Sequence, residues 1–121
     1  MKFEKSRIDP IQLELGGVSY PVRMTFKSMA YLEEKLGIPF MEIVETKFSM
    51  YGAMNAVEIQ HALYAMLIGG GVDVSFDDLA NVDFTVDVID TLVEVLAKAN
   101  KVLTTVDVDL LGEDQKKNKP T

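Results

Sequence analysis

Histidine is the commonest general base, and this chain carries one, His61. No Ser–His–acid spacing surrounds it, and a lone histidine names no partner, so His61 reads as a structural or surface side chain. Cysteine is absent, which removes disulfides, thiolate metal sites and a cysteine nucleophile. The triplet Gly69-Gly70-Gly71 invites comparison with a phosphate loop. Such a loop follows a strand and is followed by Lys and Ser/Thr. Here the glycines follow a helical pattern and precede Val72, Asp73 and Val74, so helix termination with a flexible linker is the expected role. Asp73, Asp77 and Asp78 lack the alternating oxygen ligands, central Gly and terminal Glu of a calcium loop, and Asp107 and Asp109 are no better. The expectation is no catalytic residue, no metal site and no cofactor; the chain does not read as an enzyme.

The chain has 121 residues, one domain's worth, with 48% hydrophobic and 26% charged residues. Its net charge of −7 argues against a general nucleic-acid binder, since phosphate neutralisation needs a basic surface. The acidity is local. Residues 1–47 are neutral, whereas 48–97 contain eight acids and no Lys or Arg. That region is either a solvated face or a surface complementary to a basic partner. The longest apolar run, Ala62 to Ile68, is far short of the roughly 20 residues a membrane helix needs. With no secretory signal visible at the N-terminus, a cytoplasmic location is expected.

Periodicity supplies the elements. In residues 11–24, IQLELGGVSYPVRM, apolar residues alternate on both sides of Gly16-Gly17. A two-residue turn there pairs Leu15 with Val18, Leu13 with Tyr20 and Ile11 with Val22, all on one face. Pro21 has no N–H, so its strand should have an unpaired edge. Thr25 suits the N-cap of a helix over about 26–36 that Gly37 stops. Pro39 opens a second helix to about 47. Asn55 and Glu58 form an Asx-type capping box at the head of a helix to about 68, apolar almost all round and therefore central. Ser75-Phe76-Asp77-Asp78 could cap a short turn containing Leu79. A last helix, about 85–102, carries the polar stripe Asp87, Asp90, Thr91, Glu94, Lys98 and Lys101. Val86, Ile89, Leu92, Val93 and Leu96 face the other way, widened by Val88, Val95 and Ala99. The predicted fold is α+β: a mostly α-helical single domain over 1–103 with an N-terminal β-hairpin, followed by a flexible charged tail over 104–121. Methionines and aromatics concentrate mid-chain, around the aperiodic stretch FSMYGAM at 48–54, and suit an adaptable apolar surface.

The segment LELGGVSYPVRMTFKSMAYLEEKLGIPFMEIVE, with its Gly-Gly hairpin, Thr-Phe helix start and Leu-Glu-Glu-Lys-Leu-Gly helix end, resembles the tail assembly chaperones of long-tailed bacteriophages and prophages. It is also similar to the related small tail proteins of gene transfer agents. The resemblance spans about Ile11 to Asn100. It implies a non-enzymatic, cytoplasmic protein, absent from the finished virion. Such a protein self-associates and coats the hydrophobic tape measure protein until the tail tube protein polymerises around it. Neither nucleic acid nor membrane is an expected partner. The residues expected to meet the client or a second copy are Phe40, Met41, Phe48, Met50, Tyr51 and Met54. The lysine-rich end is compatible with a slippery codon run, as in the frameshifted longer forms of many such chaperones, though simple solvation explains it as well. Two other readings stay open: a structural tail component retained in the virion, and a small acidic regulatory or antitoxin-like module that meets a basic partner.

Overall fold

A computed structural model describes residues 10–47 and 54–99 of the chain. Two strands, β1 (Ile11–Leu15) and β2 (Val18–Val22), form an antiparallel hairpin. Helices α1 (Phe26–Leu36), α2 (Phe40–Lys47) and α3 (Ala56–Gly69) follow. A short 3-10 turn, Asp77–Asn81, leads to α4 over 86–99. The architecture is a single small α+β domain, mostly helical.

The hairpin register is the one that alternation dictates: Leu15 opposite Val18, Leu13 opposite Tyr20, Ile11 opposite Val22. Gly16 and Gly17 both take positive φ, 60° and 82°, as a type I′ turn requires. In a two-residue hairpin the pairs exchanging hydrogen bonds are the first, third and fifth from the turn. Pro21 pairs with Gln12 at the fourth, so its missing N–H costs the ladder nothing. Among the described residues no further strand pairs with the edge of β2, and the end of α3 covers it. A methyl group on Gly70 would overlap the Pro21 carbonyl oxygen, and one on Gly69 would overlap the Arg23 carbonyl oxygen and Ser28 Oγ. The Arg23 N–H donates to the Met66 carbonyl at 3.1 Å, an oxygen that also accepts the Gly70 N–H at 3.0 Å, so the bond ties β2 to the last turn of α3. Gly69 and Gly70 therefore form a packing joint rather than a flexible linker.

The helix caps lie where the residue types place them. Thr25 Oγ1 accepts from the Ser28 N–H, and the αL Gly37 donates its N–H to the Glu33 carbonyl. Glu33 then reaches across the break: its Oε2 accepts from the Phe40 N–H at 2.8 Å, capping α2 from the end of α1. Both bonds of the Asn55–Glu58 capping box are present, at 3.0 and 2.9 Å. Lys47 at the end of α2 pairs with Glu58 at 3.0 Å, tying α2 to the head of α3.

Helix α3 is central. Ala62, Leu63, Ala65, Met66 and Leu67 are buried, against Leu32 of α1, Ile43 of α2, and Leu13 and Val22 of the hairpin. α4 joins the same core through Val88, Leu92, Val95 and Leu96. Its buried face differs from the expected one. Thr91, placed on the polar stripe, is buried, while Val86 and Val93 are 75% and 53% exposed. Of the expected apolar arc, Val88, Leu92, Val95 and Leu96 are buried and Ile89 and Ala99 half-buried, so the helix is turned slightly and leaves only Val86 and Val93 outside. An apolar arc that wide does not fix which of its edges is covered.

Candidate functional site

Beneath the hairpin tip lies a half-open groove of about 540 Å³. Its floor is apolar: Leu15 and Tyr20 from the hairpin, Leu67 from α3, and Val72, Leu79 and Val82 from the connection to α4. Four carboxylates also line it, those of Glu14, Asp73, Asp78 and Asp83, and among the described residues no Lys or Arg does. The connection is held in shape at two points. Ser75 and Asp78 exchange bonds, Ser75 N–H to Oδ2 at 3.1 Å and Asp78 N–H to Oγ at 3.2 Å. Gln60 of α3 donates to the Phe76 carbonyl at 3.0 Å. The Ser75 N–H, and then its hydroxyl, hold the Asp78 carboxyl below its ordinary pKa. Phe84, 66% exposed, and Val86 stand in sequence on either side of the lining residue Thr85.

A second cluster sits on the side of α3 that faces α1. The Tyr31 hydroxyl lies 2.7 Å from His61 Nδ1. Phe76 stacks on the imidazole at 4.3 Å, and Tyr64 packs against Tyr31 at 4.9 Å. Lys35 Nζ lies 5.7 Å from the Tyr31 ring centre. Burial, and then the nearby Lys35 charge, push the His61 pKa down; burial, with Tyr64 and Glu34, pushes the Tyr31 hydroxyl up. Both groups are therefore neutral near pH 7. Among the described residues no carboxylate completes a triad with the pair: its partners are aromatic rings and one lysine. The cluster locks the 72–76 connection onto α3, as a structural histidine does. Nothing in the spacing of Tyr31, His61 and Phe76 announced it; Tyr64, one turn after His61, was the one local signal.

The expected surface residues scatter. Phe40 is buried at 4% exposure, in the core beside Ile43, so its ring is withdrawn from any partner of the folded chain. Met41 is half-buried on α2, and Met54, half-buried, packs against the core. Phe48, Met50 and Tyr51 lie outside the described residues, as do Lys101 and the tail over 104–121. The groove was signalled only indirectly, by the absence of Lys and Arg from 48–97. Among the described residues no group of three or more His, Asp or Glu could hold a metal ion, and no helix is long and apolar enough to cross a membrane. No protein-family model, curated protein or solved structure matches the chain.

Proposed function

We propose that this protein is a non-catalytic holding protein of the phage tail-assembly-chaperone type. It binds apolar segments of a tape measure protein in the bacterial cytoplasm, associates with further copies of itself, and leaves before the tail is complete. The observation that carries the binding part is the groove, with its apolar floor, four carboxylates and, among the described residues, no lining cation. An apolar floor gives affinity that tolerates many client sequences, because burial is non-directional. A net charge of −7 keeps a complex with an insoluble client in solution. The family part rests on the resemblance carried by the 13–45 segment.

Co-expression with the tape measure protein tests the reading. The client should be insoluble alone and should co-purify with this chain when both are made. Equal solubility without it, and no complex, would remove the chaperone reading. Mass spectrometry of purified particles should not find the chain; finding it there would favour the structural tail component. The mid-chain methionines need their own test: Met50→Ser with Met54→Ser should weaken assembly while the domain stays folded. Unfolding would mark them as core.

A further inference from the structure

The groove's charge specifies its occupant more narrowly than its apolar floor does. We infer that it takes an extended polypeptide segment in which apolar side chains alternate with Lys or Arg. This rests on the reading of the protein as a binding module. The floor of Leu15, Tyr20, Val72 and Val82 suits aliphatic side chains, and Glu14, Asp73 and Asp83 stand at it with no cation among the described residues that line it. The surrounding stretch, residues 48–97, contains no Lys or Arg to supply a countercharge. Carboxylates beside an apolar wall focus their field into the groove, so an acidic segment is repelled and a basic one drawn in. Lys and Arg also suit the geometry, since their aliphatic stems can lie along apolar surface while the charge stays wet.

The hairpin register supplies the reason for an extended segment. Gln12 and Glu14 occupy the positions that do not exchange hydrogen bonds with β2, so their backbone N–H and C=O groups point away from it. Among the described residues no hydrogen bond is made to those groups. Among the described residues β1 therefore presents an open edge at Glu14, which itself lines the groove. A segment lying there can add as a third strand, with alternate side chains directed to the apolar floor.

Three short peptides test this: alternating Val and Lys, the same with Gln for Lys, and the same with Glu for Lys. Calorimetric titration of the full chain should show binding of the Val–Lys peptide, about tenfold or more weaker binding of the Val–Gln peptide, and none of the Val–Glu peptide. Nuclear magnetic resonance shifts should centre on Glu14, Leu15 and Val82. The Asp73→Lys, Asp83→Lys double variant changes exposed residues only and should lose the preference for Lys. Asp87→Lys with Asp90→Lys on α4, an equal change in net charge, should keep it. Equal binding of all three peptides, or equal loss in both double variants, overturns the inference. If the Asp73/Asp83 variant still co-purifies with the tape measure protein, the groove inference fails and the chaperone reading stands. If the wild-type chain binds the Val–Lys peptide but no tape measure protein, the groove stands and the chaperone reading fails.

Discussion

Gly70→Ala should destabilise this domain, although a reading of Gly69-Gly70-Gly71 as a linker predicts the opposite. Gly70 has φ −80° and ψ −2°, a conformation alanine adopts freely. In open space the change would stabilise by about 0.4–1 kcal/mol, through a less entropic unfolded chain. Here the new methyl would lie 2.6 Å from the Pro21 carbonyl carbon and 3.1 Å from the Val22 nitrogen, both backbone atoms. Restoring an ordinary carbon contact of about 3.5–4.0 Å needs β2 and the end of α3 to part by about 1 Å. That movement would break the 3.1 Å bond from the Arg23 N–H to Met66, a loss of about 1 kcal/mol. Overpacking adds about 1–3 kcal/mol. The net expectation is a loss of about 1–3.5 kcal/mol once the alanine gain is subtracted. Urea unfolding followed by far-ultraviolet circular dichroism should show a midpoint lower by about 0.5–2 M. Gly71→Ala is the control. No atom lies within 4 Å of its added methyl, but φ is +84°. It should lose only the left-handed penalty of about 1–2 kcal/mol, and Gly71→Asn should recover part of it. A Gly70→Ala midpoint at or above wild type would refute the close approach of α3 to β2.

Asn55→Ala removes the side-chain half of the α3 capping box and should cost about 1 kcal/mol in the same assay. The Asn55 backbone N–H, and then Lys47, hold the Glu58 pKa below its ordinary value. A lowered carboxyl pKa contributes stability that is complete above the unfolded value and is lost as pH falls through the folded one. Glu58→Gln should therefore flatten the acid side of the stability profile below about pH 4.5. His61, the one histidine, should titrate below 6.5 by nuclear magnetic resonance, and Lys35→Ala should raise it by relieving the repulsion. Its lowered pKa makes the folded state lose stability as pH drops below 6.5, because the unfolded chain takes up the proton first. On α4, Leu92→Ala should cost about 2–5 kcal/mol. Val93→Ser should cost about 0.5 kcal/mol or less; similar losses at the two positions would refute the rotation of that helix.

Local patterns read directly from the chain determined the hairpin register, the Thr25, Gly37 and Asn55 caps, and the central place of α3. Each depends on neighbours within a few residues. Two glycines permit only one tight turn between alternating runs, and a cap needs its partner three positions on. The sequence also showed that its acidity is confined to 48–97, without showing what that acid would line. Tertiary structure decided the rest. It withdrew Phe40 into the core, because α2 packs its first turn inward while Glu33 caps it from α1. It left Val86 and Val93, at one edge of the apolar arc of α4, outside, since an arc wider than the available core leaves part of itself exposed. It joined Tyr31 to His61 across 30 residues, and set Glu14 of the hairpin beside Asp73 and Asp83 at one groove. Such meetings depend on how whole elements pack, and no spacing along the chain encodes them.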